Sequence, residues 1–314
     1  MTTTGPPPGP DDGPGGPPPS GAVSEPSWGR RLSAALRRHP RTQLSLLLSA
    51  PLLWLVVAYL GSLSVLFLSA FWSVDTFTGD VVYEFTLDNF SSLFESEVYR
   101  AVTMRSIGVA ALVTVIDTVI AFPVAFYMAK VATPRVQRLL VIAILTPLWA
   151  SYLVKAYAWR VMLSGDGPLN WALGPFGLDG PGYGFTATVL TLSYLWLPFM
   201  ILPIFAGLER VPNSLLDASG DLGARAGRTF RSVVLPMTLP AVAAGSIFTF
   251  SLSLGDYIAV QIVGGSTQLL GNVVYANIGS ANNLPFAAAL ATIPVAIMMM
   301  YLLAVRRTGA LEQI

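Results

Sequence analysis

The sequence predicts an all-α membrane protein with six membrane-spanning helices. Of its 314 residues, 54% are hydrophobic and only 11% are charged, whereas a soluble domain carries about 25% charged residues. The apolar residues are gathered in six runs, each long enough to cross a hydrocarbon core of about 30 Å as a helix. The alternation of apolar and polar residues that marks a membrane barrel is not seen. Because backbone groups in lipid must be bonded within their own segment, these runs are expected to be helical.

The six runs form one predicted transmembrane domain, residues 44–307. They lie near residues 44–72, 102–129, 136–163, 185–207, 237–263 and 285–305. The first run has 29 residues, which make about 44 Å of helix at 1.5 Å per residue. We therefore expect the first span to tilt or to continue beyond the bilayer. Residues 308–314 are then a short C-terminal segment.

The N-terminal residues 1–43 are predicted to be a disordered tail that ends in a basic segment. Residues 1–29 contain nine prolines and seven glycines, and such a segment cannot bury enough apolar area to offset its ordering entropy. A cleavable signal peptide is not expected, because the apolar run begins only near Leu44 and continues to about Trp72.

The distribution of lysine and arginine predicts that both termini are cytoplasmic. Fourteen of these residues precede the first run, follow the last one, or lie in the second and fourth connections, whereas four lie on the other side. The positive-inside rule places the richer side in the cytoplasm. The chain is therefore predicted to be a multi-pass protein of the cell membrane, with its tail and its residues 308–314 on the inner side.

The composition excludes several kinds of chemistry. There is no cysteine for a disulfide or a thiolate metal site, and the one histidine, His39, cannot form a two-histidine zinc site. The only lysines, Lys130 and Lys155, do not follow a glycine, so the phosphate-binding G-x-x-x-x-G-K-[ST] loop is absent. We therefore predict a chain that is not an enzyme and that has no cofactor, no metal and no nucleic-acid partner.

The fourth connection, Glu209 to Pro236, is the longest predicted cytoplasmic loop and carries the strongest functional signal. Pro212 suits the start of a helix, and Gly223 can end it because glycine tolerates a left-handed backbone. One face of this helix is formed by residues at i, i+3, i+4 and i+7: Leu215, Ala218, Ser219 and Leu222. The centre of that face is small, so another surface can approach its backbone closely. The arginines that follow suit lipid headgroups or an acidic partner: Arg225, Arg228 and Arg231.

The same loop resembles the signature of bacterial ABC-importer permeases, which reads Glu-Ala-Ala, three residues, Gly, nine residues, then Ile-x-Leu-Pro. Here it reads Asp217-Ala218-Ser219, three residues, Gly223, nine residues, then Val233-Val234-Leu235-Pro236. The spacing is kept, while Asp replaces Glu, Ser replaces the second Ala and Val replaces Ile. The resemblance covers roughly residues 44–307 and implies the type I importer permease fold, also called MetI-like.

The resemblance further implies that the loop is a coupling helix, which docks into a groove on a separate ATPase. The implied docking residues are Leu215, Asp217, Ala218, Ser219, Leu222, Gly223 and Arg225. Asp217 has a shorter reach than the usual glutamate, so its contacts need not be the same. The implied partners are a dimer of ATP-binding subunits, a second permease subunit, since six spans make half a pathway, and an extracytoplasmic solute-binding protein.

Other motifs resemble the spermidine/putrescine branch of this family. They are Leu254-Gly255-Asp256-Tyr257, Val263-Gly264-Gly265, Leu270-Gly271-Asn272, Leu284-Pro285-Phe286-Ala287-Ala288-Ala289, Pro147-Leu148-Trp149, Lys155-Ala156-Tyr157-Ala158-Trp159 and Gly167-Pro168-Leu169-Asn170. The branch implies inward transport of a polyamine. This chain departs from the pattern of the branch at Lys155, where arginine is usual. Because the branch also includes relatives for iron, thiamine and other solutes, these remain alternatives.

Two carboxylates inside the predicted spans, Asp117 and Asp256, are candidate pathway residues together with Tyr257. A carboxylate at mid-membrane costs about 2.5–3.5 kcal/mol on insertion scales, so it usually faces a partner or water. Asp117 either binds a cationic solute or bonds a neighbouring helix, and we favour the second. In the family the fifth helix lines the pathway, where Asp256 and Tyr257 could meet a cation. Helix capping or gate packing is the rival interpretation for Asp256.

Two other functions compete with a permease. An intramembrane enzyme would need a motif such as H-E-x-x-H or a clear nucleophile, and the sequence has neither. A stand-alone secondary transporter or channel usually has more spans or internal repeats, and it has no use for an ATPase-docking loop. Co-purification of an ATPase subunit separates this last alternative from the permease.

Overall fold

The computed structural model describes residue 5, residues 48–75 and residues 77–306. The predicted tail, except for residue 5, and the predicted C-terminal residues 308–314 lie outside the described residues. The chain divides into two units, residues 1–62 and residues 63–314, and the candidate functional residues all belong to the second.

Twelve α-helices and one short hairpin make up the described part of the chain. The helices are α1 (Leu48–Ser69), α2 (Asp88–Glu95), α3 (Glu97–Val131), α4 (Pro134–Trp149), α5 (Tyr152–Met162), α6 (Pro168–Leu173), α7 (Phe185–Glu209), α8 (Asn213–Asp221), α9 (Ala226–Leu254), α10 (Ile258–Val263), α11 (Leu270–Gly279) and α12 (Leu284–Arg306). Single π-helical segments occur in α1, α3 and α9, at Leu55–Leu60, Tyr127–Val131 and Phe230–Val234. The strands β1 (Ser73–Val74) and β2 (Val81–Val82) pair antiparallel.

Five of the described helices are long and apolar enough to cross a membrane: α1, α3, α7, α9 and α12. α4 and α5 meet the same criterion only as a pair, and they are bent by 95° relative to each other. The prediction of an all-α membrane protein is confirmed, and the described residues hold five candidate spans, or six if the bent pair counts as one.

The single helix predicted for residues 136–163 is wrong. The chain leaves the helical conformation at Ala150 and Ser151, whose ψ angles are 141° and 140°. Pro147 does not account for the position of the break, because a proline inside a helix disturbs the turn before it, whereas this helix continues to Trp149 and breaks after it. Hydropathy is continuous across this point, so the apolar run alone could not reveal the bend.

The fifth predicted span, residues 237–263, is also not one helix. α9 ends at Leu254, and the separate helix α10 begins at Ile258, after three intervening residues. In the break at 255–257, the Oδ1 atom of Asp256 accepts a hydrogen bond of 2.9 Å from the backbone N–H of Ala259. This bond satisfies one of the free donors in the first turn of α10, so a new helix starts there.

The helices α3, α7 and α9 pack together at the centre of the second unit. One apolar cluster joins them and consists of Ala121, Phe122, Ala125, Met128, Met200, Ile201, Ile204, Leu208 and Val234. Glycine permits a close approach, since a Cβ atom added to Gly245 of α9 would lie 2.8 Å from the Sδ atom of Met200. Small residues at crossings are typical of membrane helices, whose association depends on close van der Waals packing.

The turn between β1 and β2 is stabilised by an aspartate. Asp75 Oδ1 accepts hydrogen bonds from the backbone N–H groups of Phe77 (2.7 Å) and Thr78 (3.1 Å). These two donors hold the pKa of the Asp75 carboxyl below its usual range. The first connection therefore keeps a negative charge at this turn.

The orientation of the chain is a prediction that reporter fusions test directly. We expect fusions at Glu84, Asp179 and Asn282, which lie in connections between elements, to report the outer side. Fusions at Arg135 and Gly220 should report the cytoplasm, because the lysine and arginine residues concentrate on that side. A cytoplasmic signal from the Glu84 fusion would overturn the orientation.

Candidate functional site

The predicted docking loop contains a short helix, α8, directly after the long helix α7. α8 begins at Asn213, and Pro212 precedes it with an extended backbone (φ −65°, ψ 136°). A residue that precedes a proline is disfavoured in the α conformation. For this reason α7 does not continue past Val211, and the chain turns before α8 starts.

The end of α8 confirms the prediction made for Gly223. This glycine has a φ angle of +77°. Its N–H donates to the carbonyl of Gly220 (2.8 Å), and the N–H of Ala224 donates to the carbonyl of Ser219 (3.0 Å). The two bonds form a Schellman motif, which satisfies carbonyl groups at the C-terminal end of a helix. A side chain at position 223 would strain this backbone, so glycine is required here.

One of the four residues of the predicted outward face of α8, Ser219, is not fully exposed. Ser219 is half-buried, and its Oγ atom lies 2.8 Å from Oγ1 of Thr229, while Leu222 lies outside the helix as its C-cap. Leu216 packs against the central apolar cluster and sets the rotation of the helix. The side chains of α8 that remain exposed are Asn213, Ser214, Leu215, Asp217, Ala218 and Asp221.

Most of the predicted docking residues are nevertheless accessible together. Leu215 is 42% exposed and Leu222 is 89% exposed; of the seven residues, Ser219 is the only one that is half-buried. The accessible group, which we name the docking surface, comprises Leu215, Asp217, Ala218, Leu222, Gly223 and Arg225. The next arginines, Arg228 and Arg231, are exposed as well.

The turn between α7 and α8 is held by side chains that sequence reasoning did not place there. The Nζ atom of Lys130, near the end of α3, donates to the carbonyl of Val211 (2.6 Å) and to Oδ1 of Asn213 (3.2 Å). Gln137 of α4 donates to Oε1 of Glu209 at 2.7 Å. The sequence analysis used Lys130 only as a charge that sets orientation, because no local pattern reveals a partner 81 residues away.

Asp256, one of the candidate pathway residues, is committed to contacts within the chain. It is 8% exposed, and its Oδ2 atom accepts a hydrogen bond from the hydroxyl of Tyr152, at the start of α5. Its other oxygen accepts from Ala259, as described above. These contacts agree with the capping and packing interpretation. Tyr152 was not predicted, since a tyrosine beside an apolar run carries no sign of a partner 104 residues away.

A second set of bonds joins α5 and α10 at their other ends. Arg160 Nη1 donates to the carbonyl of Ile262 at 2.6 Å. The hydroxyl of Tyr183 donates to the carbonyl of Arg160 (3.0 Å), and the guanidinium carbon lies 5.1 Å from the centre of the tyrosine ring. The Tyr152–Asp256 bond therefore lies beside the breaks in the third and fifth spans, and the Arg160–Ile262 bond joins α5 to α10 near their C-terminal ends.

Aromatic rings surround the break between α9 and α10. Tyr257, the third candidate pathway residue, is half-buried and stacks on Tyr275 with ring centres 4.8 Å apart. Close to them Gly271 leaves no room for a side chain, since an added Cβ would lie 2.7 Å from the carbonyl oxygen of Asp256. Four further rings contact one another in series, with distances of 5.9, 6.0 and 6.4 Å between successive ring centres: Tyr152, Trp196, Phe199 and Phe248.

Asp117 lies apart from Asp256, inside the packing of α3 against α7. Its side chain is fully buried and faces Ser193 of α7. Neither of its carboxyl oxygens makes a hydrogen bond of normal geometry to the described residues. A pathway between two permease subunits would run along a surface of each chain, so this burial agrees with a structural role. Within the described residues, no group of three or more acidic or histidine side chains is arranged to hold a metal ion.

Known proteins resemble this chain over most of its length. Residues 101–307 match the family described as binding-protein-dependent transport system inner membrane component. The chain is 42% identical over 304 residues to the inner membrane ABC transporter permease protein YdcU of Escherichia coli K12, covering 92% of this chain and 96% of the relative. It is 31% identical over 232 residues to the spermidine/putrescine transport system permease protein PotB of the same strain, covering 72% and 84%.

A solved structure shares the fold. The crystal structure of a bacterial ABC transporter involved in the import of the acidic polysaccharide alginate superposes with a TM-score of 0.69 at 17% identity, covering 88% of this chain and 99% of that chain. The family match, the two relatives and the helical architecture agree with one another. This chain therefore belongs to the family of binding-protein-dependent transport system inner membrane components, and it is a multi-pass permease subunit of an ABC importer.

Proposed function

We propose that this chain moves a polyamine, such as spermidine or putrescine, into the cell, driven by a separate ATPase that binds at the docking surface. The observation that carries the coupling is the accessible face of α8, which is held on the core of the chain by Leu216. The subunit itself does no chemistry and contributes a pathway that opens alternately to the two sides.

The docking surface has the shape that insertion into a groove requires. Leu215 and Leu222 expose apolar surface on either side of Ala218, whose methyl group leaves the centre low. Burial of such side chains against a partner is favourable, at about 25 cal/mol for each Å² removed from water. Because Gly223 turns the chain directly after α8, the basic residues that follow can lie beside the same partner or at the membrane surface.

The polyamine assignment is supported by the PotB relative and by the aromatic rings at the break in the fifth span. PotB is named for spermidine and putrescine transport and is 31% identical to this chain. The stacked pair Tyr257 and Tyr275 is partly exposed, and aromatic faces attract ammonium groups by roughly 0.5–2 kcal/mol. We propose that this pair meets the cationic solute, while Asp256 keeps the break in shape through its hydrogen bonds.

The remaining partners follow from the same assignment. A single chain of six spans supplies half of a pathway, so we propose a second permease subunit beside it. The family description names a dependence on a binding protein, and we place that protein at the outer face. A dimer of ATP-binding subunits would then contact one docking surface on each permease.

Reconstitution tests this function. The chain is assembled in proteoliposomes with its second permease, ATPase and binding protein, and ATP-dependent accumulation is measured for radiolabelled spermidine, putrescine, thiamine and ferric iron. We expect spermidine or putrescine to accumulate, and an excess of the unlabelled amine to suppress the signal. A matched sample without ATP is the control.

Two results would contradict different parts of the proposal. Accumulation of thiamine or iron alone would show that the solute is wrong and leave the coupling intact. Accumulation by the chain without any ATPase would instead identify a stand-alone transporter and remove the proposed role of α8.

A further inference from the structure

The support beneath α8 contains one cation that joins three separate parts of the chain. Lys130, at the end of α3, bonds to Val211 just after α7 and to Asn213, the first residue of α8. The two acceptors lie on either side of Pro212, where the chain changes direction. One ammonium group therefore fixes the turn relative to the end of α3.

The helix dipole gives no reason for a cation at this place. The N-terminus of a helix carries a partial positive charge, so a lysine beside the first turn of α8 is electrostatically unfavourable. Both of the oxygens that Lys130 binds are neutral, and one belongs to Val211, a residue that is only 2% exposed. The positive-inside rule accounts for a lysine on this side of the membrane, but not for two fixed hydrogen bonds.

The apolar contacts of α8 converge on the same helices. Leu216 packs on the cluster that includes Met128, two residues before Lys130, and Leu208, three residues before Val211. α8 is thus attached to α3 through its first residue, and through its middle to the apolar cluster that α3, α7 and α9 share. The bond from Gln137 to Glu209 adds α4 to this attachment.

We propose that Lys130 is a positioning residue that transmits movement of α8 into α3 and α4 when the ATPase closes. This inference rests on the proposed docking function of α8. A rigid turn passes a displacement on to the helices behind it, whereas a loose turn would absorb it. α4 continues, after the bend, into α5, which holds the break of the fifth span through Tyr152 and Asp256. The route from α8 to that break runs through the hydrogen bonds of Lys130, the packing of the end of α3 on α4, and the covalent link between α4 and α5.

The test compares Lys130→Met with Lys130→Arg in the reconstituted complex. Two quantities are measured with Mg-ATP as the substrate. The first is the amount of ATPase that stays bound to each permease, and the second is the increase in the rate of ATP hydrolysis caused by the binding protein. In Lys130→Met we expect the ATPase to stay bound as in the unmodified chain, because the docking surface is unchanged. We expect the stimulation of ATP hydrolysis by the binding protein to fall about fivefold or more, since fivefold is the lower end of the usual coupling between two sites. Lys130→Arg should restore most of the stimulation, since a guanidinium can donate to both acceptors.

Matched variants separate transmission from folding and from loss of charge. Arg138→Met also removes one cytoplasmic positive charge, but the Nε of Arg138 bonds only within its own helix, to Pro134, so stimulation should stay normal. Asn213→Ala removes one acceptor and leaves the lysine, and it should lower the stimulation less than Lys130→Met. In the double variant, Asn213→Ala should lower the stimulation little beyond the effect of Lys130→Met, because both substitutions remove the same contact.

The inference is overturned if Lys130→Met keeps full stimulation, if Lys130→Arg fails to restore it, or if Lys130→Met releases the ATPase. The last result would give Lys130 a purely structural role in forming the docking surface. Failure of the proposed function looks different, because the unmodified chain would then not retain an ATPase at all.

Discussion

Ala218→Arg is expected to abolish ATP-driven uptake while the chain still inserts into the membrane. Ala218 is exposed at the low centre of the docking surface, so a long charged side chain would enter the proposed contact. A loss of only about 1.4 kcal/mol lowers an affinity tenfold, and a buried unpaired charge costs several times that amount. Uptake of labelled solute and the ATPase co-purified from matched membranes are the measurements.

Two control variants make this result specific. Ala226→Arg introduces the same change at an exposed alanine in the first turn of α9, outside the docking surface, and should keep both uptake and the ATPase. Asp217→Glu restores the residue that is usual in this family and should be tolerated. Normal uptake with a bound ATPase in Ala218→Arg would show that docking occurs elsewhere.

Asp256→Ala is expected to destabilise the chain and to reduce transport strongly. The change removes the acceptor for the first turn of α10 and leaves the hydroxyl of Tyr152 without a partner. Loss of a capping bond costs about 0.5–2 kcal/mol, and an unsatisfied buried donor costs about 1–3 kcal/mol. Thermal unfolding in detergent and the rate of uptake measure the two consequences.

A series of variants assigns the effect to this one contact. Tyr152→Phe should cause a smaller loss than Asp256→Ala, because the cap of α10 remains. In the Asp256→Ala background it should add little, since the shared bond is already gone. Tyr183→Phe is the control: its hydroxyl bond to Arg160 is at the surface, so stability should change by less than about 0.5 kcal/mol. If Asp256→Ala unfolds at the temperature of the unmodified chain, the bond does not hold α5 to α10.

The presence of several long apolar helices follows from hydropathy, because lipid requires backbone groups to be bonded within such helices. The turn at Gly223 follows equally well, since helix-ending glycines depend on local backbone conformation. The breaks at Ala150–Ser151 and after Leu254 do not change the hydropathy and were missed. Pro147 was visible in the sequence, but a proline disturbs the turn that precedes it, so it did not mark the break that follows it.

The side chains that support the site were the least predictable part. Ser219 is the one residue of the predicted outward face of α8 that is half-buried, because its hydroxyl meets that of Thr229, ten residues further along the chain. Lys130 and Tyr152 act through partners 81 and 104 residues away. Periodicity and motif spacing describe neighbours along the chain, so they carry no information about such pairs.

The 95° bend leaves the third span shorter than the lipid around it. The 16 residues of α4 extend about 24 Å at 1.5 Å per residue, against a hydrocarbon core of roughly 30 Å. Trp149, which is 90% exposed at the end of α4, is a residue type that favours the membrane interface. A helix this short matches the bilayer by local thinning, by snorkelling of its flanking residues or by association with another subunit. Bilayer thickness then acts on α4, the helix that links the turn between α7 and α8 to the bend. The lipid composition of the membrane therefore contributes to the resting geometry of the permease.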